Sequence, residues 1–178
     1  GVLYTELRYK HMQAMERAKT KFDQIDKEFG DFFGRYYGGQ IEEYRTDDAD
    51  IILVVSGSAT GTAKTVIDAW REKGLKVGLV KIRMYRPFPR KKLAEVLKGR
   101  KAVGVLDRSV CFGWNCGPIY QEVRSLTPEI GNIPLLSFID GIANLDITTE
   151  NIERMIKDID SASAGQPYSE TTWISLEE

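Results

Sequence analysis

Residues 47–89, from Asp47 to Pro89, read DDADIILVVSGSATGTAKTVIDAWREKGLKVGLVKIRMYRPFP, and this stretch forms one complete strand–helix–strand unit. Ile51 to Val55 is a continuous apolar, mostly β-branched run, the composition of a strand covered on both faces. Gly57 and Gly61 bracket a tight turn, and Thr60 or Thr62 can cap the helix that follows. That helix sets Ala63, Val66, Ile67 and Trp70 on one side and ends at Lys73-Gly74, a basic last turn followed by a glycine. Val77 to Ile82 gives a second buried strand, so the expected topology is a parallel pair joined by a crossover helix. The unit closes at Arg86-Pro87-Phe88-Pro89, where two prolines block continuation of strand or helix.

The glycine turn does not have the spacing of a nucleotide motif. A P-loop places a second glycine directly before Lys-Ser/Thr, whereas Gly57-Ser-Ala-Thr-Gly61-Thr-Ala-Lys64 puts Thr62 in that position and the lysine two residues late. Ser58-Ala59 likewise breaks a G-x-G-x-x-G fingerprint. The turn is expected to use small residues so that helix and strand pack closely.

With 178 residues the chain suits one domain plus an attached element. Its net charge of −1 gives no electrostatic case for nucleic acid or an anionic membrane. No apolar run approaches the ~20 residues that span a bilayer. Cys111 and Cys116 are too few for a disulfide framework, which points to a reducing cytoplasm. The start at Gly1, within an amphipathic segment, suggests a piece of a longer polypeptide.

Three regions follow. Residues 1–46 are expected to hold a long helix, from about Leu3 to Phe29, and a connector rich in tyrosine and glycine. Met15, Ala18, Phe22, Ile25 and Phe29 recur at spacings of three and four, an apolar seam of assembly type, and Gly30 and Gly34 end the helix. At 1.5 Å per residue such a helix would be roughly 40 Å long, longer than a small α/β body covers. Residues 47–160 form the α/β body, with further strands at Ala102–Leu106 and Ile133–Ile139 and helices near Leu93, at Pro118–Arg124 and after Thr148 or Thr149. Residues 161–178 are expected as a polar, mobile tail in which Tyr168, Trp173 and Ile174 are candidates to dock.

The parallel strands end in the loops GSATG, RMYRPFP, DRSVCFGWNCG and DGIANLDIT. In an open α/β sheet these share one edge, where ligands and partners bind. Gly57, Ser58, Arg86, Phe88, Asp107, Arg108 and Ser109 are the candidate contact residues there. Catalytic candidates are few. His11 is the single histidine, Cys111 and Cys116 lack partners at metal-ligand spacing, and no nucleophile, base and orienting group come together in the sequence. The residues by themselves assign no catalytic, cofactor-binding or metal-binding role.

Five segments carry a family resemblance: ELRYKHMQAMERA from Glu6, EFGDFFGRYYGGQIEEY from Glu28, DADIILVVSGSATGTAK from Asp48, KIRMYRPFP from Lys81, and VLDRSVCFGWNCGPIYQEV from Val105. Together they resemble the C-terminal portion of the alpha subunit of pyruvate (2-oxoacid):ferredoxin oxidoreductases. The chain departs from that family's G-[LI]-G-G-[RK]-D-[IV]-T turn, which reads GIANLDIT from Gly141. The resemblance implies a mostly parallel open sheet flanked by helices, similar to the transketolase C-terminal domain. It implies a complex that oxidises a 2-oxoacid to an acyl-CoA and reduces ferredoxin, or runs in reverse, with thiamine diphosphate, Mg²⁺ and iron–sulfur clusters. The family places the thiamine cofactor in other parts of the complex, so this segment is expected to bind none and to make subunit contacts. Two rival readings are a free-standing flavodoxin-like module that binds a small ligand at the same edge, and a structural domain of another multi-subunit enzyme.

Overall fold

The computed structural model describes residues 1–176. Six strands form one sheet in the order β1-β3-β2-β4-β5-β6. These are β1 (Ile41–Tyr44), β2 (Ile51–Ser56), β3 (Val77–Ile82), β4 (Ala102–Asp107), β5 (Leu135–Ile139) and β6 (Thr171–Trp173). The five strands from β2 to β6 are mutually parallel, whereas β1 runs antiparallel along β3. Ile51 stands opposite Val77 on one side and Ala102 on the other, so β2 lies at the centre of the sheet.

The continuous apolar run of β2 feeds two cores at once. Ile51, Leu53 and Val55 join one cluster and Ile52 and Val54 the other, as the period of two in a strand dictates. The first face is covered by α2 (Ala59–Glu72) and α6 (Thr149–Ser163), through Ala63, Val66, Ile67, Ile152, Met155, Ile156 and Ile159. The second is covered by α3 (Arg90–Leu97), α4 (Pro118–Arg124) and α5 (Thr127–Ile130), through Leu93, Leu97, Tyr120, Val123 and Ile130. Each fully buried Leu, Ile or Val contributes about 1.5–3 kcal/mol by leaving water. At Gly104 on β4 a Cβ would lie 2.4 Å from Ile159 Cδ1 and 2.7 Å from Phe138 Cε2, so glycine there lets α6 close on the sheet.

Several local expectations change. The first helix, α1, runs from Val2 to Phe33 and passes through Gly30, which does not end it. The Tyr36 ring folds back against Gly30, its Cδ1 lying 2.2 Å from where a Cβ would be, so the glycine serves packing. Gly34 ends the helix in the left-handed conformation, φ 68°, its N–H bonded to the Gly30 carbonyl. The connector is not merely a linker: Ile41–Tyr44 forms the edge strand β1.

Neither threonine caps α2; Ser58 holds the N-cap position without a side-chain bond, and the Thr60 hydroxyl donates to the Gly57 carbonyl at 2.8 Å. Nor do Gly57 and Gly61 permit close packing, since a Cβ at either would meet nothing within 4 Å. What Gly57 supplies is a φ of +66°. The tail is ordered rather than mobile through its described part. α6 extends to Ser163, Thr171–Trp173 pairs with β5, and buried Ile174 donates its N–H to the Ile139 carbonyl at 3.0 Å. Tyr168 stays exposed, and residues 177–178 lie outside the described part. Among the described residues no helix is long and apolar enough to cross a membrane.

Candidate functional site

The chain passes from β2 to β3 on one side of the sheet and then crosses to β4 on the other side of β2. The carboxyl ends of β2 and β4 therefore flank the point where strand order reverses, the usual crevice of an open α/β sheet. Gly57 and Ser58 leave β2 there, and Arg108 and Ser109 leave β4; all four are exposed. Ser58, Thr62, Arg108 and Asp146 share a cavity of about 230 Å³. Arg108 is aimed by its Nε, which donates to the Gly141 carbonyl at 3.1 Å. Two residues further along that loop, Ala143 adopts a φ of +57°, a left-handed conformation unusual for a residue with a Cβ.

Asp107 is not part of that crevice. It is 1% exposed, and its carboxylate accepts the Ile119 N–H at 2.9 Å and the Tyr120 N–H at 3.0 Å, which satisfies the start of α4. Burial pushes its carboxyl up to about 6, against the lowering effect of those two N–H groups. Gly117 makes room for it, since a Cβ there would sit 2.1 Å from Asp107 Cβ.

A second buried carboxylate, Asp140 at the end of β5, organises the neighbouring loop. It accepts from the Gly141 N–H at 2.9 Å, from Asn151 Nδ2 at 2.7 Å and from the Ser175 hydroxyl. Both acids hold backbone in place and face protein donors. Among the described residues no group of three or more His, Cys, Asp or Glu is placed to hold a metal ion.

Arg86 and Phe88 lie on the other side of the edge. The Arg86 guanidinium stacks 4.1 Å above the Tyr85 ring, donates to the Tyr85 carbonyl at 2.9 Å and meets Glu122 of α4 at 2.5 Å. Phe88 packs on the core cluster beneath α3 and α4. The seven edge candidates thus divide into three places: Gly57, Ser58, Arg108 and Ser109 at the crevice, Arg86 and Phe88 at α4, and Asp107 beneath it.

The long helix α1 is held by polar contacts. Asp26 accepts from Arg83 Nη1 at 2.6 Å and from the Gly39 N–H at 2.8 Å. Asp23 accepts from Gln40 Nε2 at 2.7 Å and from Lys92 Nζ at 2.9 Å. Along the seam, Met15, Ala18 and Phe22 are half-buried, with Arg83 lying over the Phe22 ring. Ile25 and Phe29 are 52% and 37% exposed. Phe29 continues into an exposed aromatic patch with Phe33 at 4.6 Å and Tyr37 at 6.1 Å, while Val2, Leu3, Leu7 and Met12 stand in solvent along the first half of the helix. Contiguous exposed apolar surface on this scale is uncommon on a monomeric protein.

Asp140, Glu122 and the two α1 aspartates were not singled out from sequence. The aspartates carry a retrievable signal, two acids three residues apart on the face of a helix otherwise read for its apolar spacing. Asp140 carries none, because its partners come from positions 11 and 35 residues away.

Residues 49–152 match the family model for pyruvate:ferredoxin oxidoreductase core domain II. The chain is 36% identical over 176 residues to the pyruvate synthase subunit PorA of Methanosarcina barkeri, covering 98% of this chain and 44% of that protein. It is 38% identical over 175 residues to the alpha subunit of NADH-dependent phenylglyoxylate dehydrogenase from Aromatoleum evansii, covering 96% of this chain and 42% of that one. A solved 2-oxoglutarate:ferredoxin oxidoreductase from Magnetococcus marinus superposes with a TM-score of 0.52 at 20% identity, over 72% of this chain and 20% of that chain, a likeness of fold. The chain spans less than half the length of these curated relatives. With its α/β sheet and a match over more than half its residues, the chain belongs to the pyruvate:ferredoxin oxidoreductase core domain II family.

Proposed function

We propose that this chain is a non-catalytic assembly domain within the alpha subunit of a thiamine-diphosphate-dependent 2-oxoacid:ferredoxin oxidoreductase. In this reading the complex converts pyruvate, coenzyme A and oxidised ferredoxin to acetyl-CoA, CO₂ and reduced ferredoxin, or runs in reverse. The observation that carries the proposal is the similarity over nearly the whole chain to subunits of named oxidoreductases. The exposed apolar length of α1 supports an assembly role, because that surface needs a cover. Relatives named for pyruvate and for phenylglyoxylate share this domain, which fits a segment remote from substrate selection.

Thiamine diphosphate supplies the carbanion chemistry in such enzymes, with Mg²⁺ on its diphosphate. The buried carboxylates Asp107 and Asp140 face N–H and O–H donors of the protein, so they do not form the oxygen donor set that Mg²⁺ takes. In this proposal thiamine diphosphate, Mg²⁺, the iron–sulfur clusters and the coenzyme A site belong to other parts of the complex, and ferredoxin is met through it. A cytoplasmic location, with neither nucleic acid nor membrane as partner, accompanies this reading. Gly57, Ser58, Arg86, Phe88, Asp107, Arg108 and Ser109 are assigned to the contact edge or its support, and Met15, Phe22, Ile25 and Phe29 to the assembly helix.

A complex isolated through a tag on this chain should bring down its partner subunits and reduce ferredoxin when given a 2-oxoacid and coenzyme A. Calorimetric titration of the isolated chain with thiamine diphosphate and Mg²⁺ should give no saturable heat. Saturable micromolar binding, or a chain recovered without partners from its native source, contradicts the proposal.

A second reading, a small-anion module, draws on the crevice where Ser58, Thr62 and Arg108 converge. The Asp146 carboxylate lines the same cavity and opposes an anion there.

A further inference from the structure

The loop between β4 and α4 carries both cysteines of the chain, and the structure brings them together. The Cys111 N–H donates to the Cys116 carbonyl at 2.9 Å, closing Phe112, Gly113, Trp114 and Asn115 into a small ring. With N–Cα at about 1.46 Å and the carbonyl O about 2.4 Å from its own Cα, that 2.9 Å bond holds the two Cα atoms within roughly 7 Å, the limit of what a disulfide bridges. Cys111 Sγ donates to Gln121 Oε1 at 3.5 Å, which places the accessible sulfur over the first turns of α4.

The rest of the loop is fixed around this pair. A turn bond from the Trp114 N–H to the Cys111 carbonyl, 3.0 Å, and a glycine in the left-handed region at Gly113 shape the tip. Asn115 is tied to β6, its Oδ1 accepting from Trp173 Nε1 at 3.0 Å. The backbone thus already holds the pair across a closed loop. The two positions differ in access: Cys116 is buried and Cys111 partly exposed.

We propose that Cys111 and Cys116 form a reversible oxidation site that a peroxide closes to an intraloop disulfide. Cys111, the accessible sulfur, attacks the peroxide as thiolate; the O–O bond breaks, one oxygen stays on sulfur as sulfenic acid and the other leaves as water. Cys116 then attacks the Cys111 sulfur, the S–O bond breaks, the S–S bond forms and a second water leaves. In sum, two thiols and one hydrogen peroxide give one disulfide and two waters. Closing the ring fixes the Phe112–Asn115 tip, whose Phe112 and Trp114 side chains are 99% and 64% exposed. The inference rests on the loop alone and stands whether or not the domain assembles as proposed above.

The test uses the full polypeptide in its native complex, treated with a small excess of hydrogen peroxide, alkylated under denaturing conditions and digested with trypsin. No Lys or Arg lies between Arg108 and Arg124, so both cysteines fall in one peptide, Ser109–Arg124. The expected result is loss of both alkyl adducts and of two hydrogen masses from this peptide, restored by dithiothreitol. In Cys116→Ser the Cys111 sulfenic acid should persist and be trapped by dimedone, while in Cys111→Ser the thiol of Cys116 should remain alkylatable after peroxide. Two fully alkylated cysteines after peroxide, or Cys111 driven to sulfinic acid beside a free Cys116, overturns the proposal.

Discussion

Arg83 Nη1 lies 2.6 Å from Asp26 Oδ1, a contact across 57 residues that fastens the last third of α1 to the loop following β3. The same nitrogen donates to the Gly39 carbonyl at 2.7 Å, and Asp26 also accepts the Gly39 N–H. Helix, connector and sheet edge thus meet at one ion pair. Burial alone would push the Asp26 carboxyl up, but the hydrogen bonds from Arg83 and Gly39 and the guanidinium charge bring it below the ordinary 3.8.

Replacing Asp26 by Asn keeps the shape and removes the charge. The expected cost is about 1.5–3 kcal/mol, the range for hydrogen bonds to a charged group, read as a lowered urea midpoint together with faster amide exchange at Gly39. Because the folded value lies below the unfolded one, the contribution of Asp26 is present above pH 3.8 and is lost as pH falls through the lowered folded value. The variant should lack that acid-side loss.

Asp107 behaves in the opposite sense. Its folded value of about 6 stands above the unfolded 3.8, so its favourable contribution is complete below the unfolded value and disappears as pH rises through 6. The ionised buried carboxylate then weighs on stability at neutral pH by on the order of 3 kcal/mol. Asp107→Asn, which cannot ionise, is itself destabilising because its NH₂ faces an N–H donor. Its deficit relative to the unmodified protein should shrink between pH 4 and pH 7. A deficit that is constant or grows with pH, measured by denaturant titration, contradicts this assignment.

Arg86 is half exposed, and its pairing with Glu122 is worth under about 1 kcal/mol. Arg86→Lys keeps the charge while losing the flat stack on Tyr85 and the forked donors. The variant should melt slightly earlier or assemble less tightly, with turnover per intact complex unchanged. A loss of turnover in fully assembled complex would show that Arg86 reaches the chemistry.

Much of the central architecture was legible because its signals are local. The run Ile51–Val55, the segment Val77–Ile82 and the stretch Pro118–Arg124 have the composition and punctuation of their elements, and the structure places them within a residue of expectation. The edge strands β1 and β6 were not legible. IEEY and TTW are short, carry no apolar alternation, and become strands only because β3 and β5 offer unpaired edges. The continuation of α1 through Gly30 depends on Tyr36 packing against the missing side chain, a contact that no propensity at Gly30 announces. The crevice was legible as a shared loop edge, yet its division between Arg108 and Arg86 follows from which face of the sheet each loop turns toward. Asp107 was expected among the contact residues of the loop edge and is instead a buried cap, set by the room that Gly117 leaves.

The central claim is that the exposed face of α1 joins this domain to the rest of its complex, and the double variant Ile25→Asp/Phe29→Asp tests it most directly. Both side chains are exposed in the domain, so the charges need no burial in the isolated fold and its melting temperature should be nearly unchanged. Buried at an interface, two unpaired carboxylates would cost several kcal/mol, a weakening of association by at least a hundredfold. Native mass spectrometry of the co-expressed complex should then show a folded variant chain without its partner subunits. A variant found at full stoichiometry in the complex, with unchanged dissociation on dilution, contradicts the account.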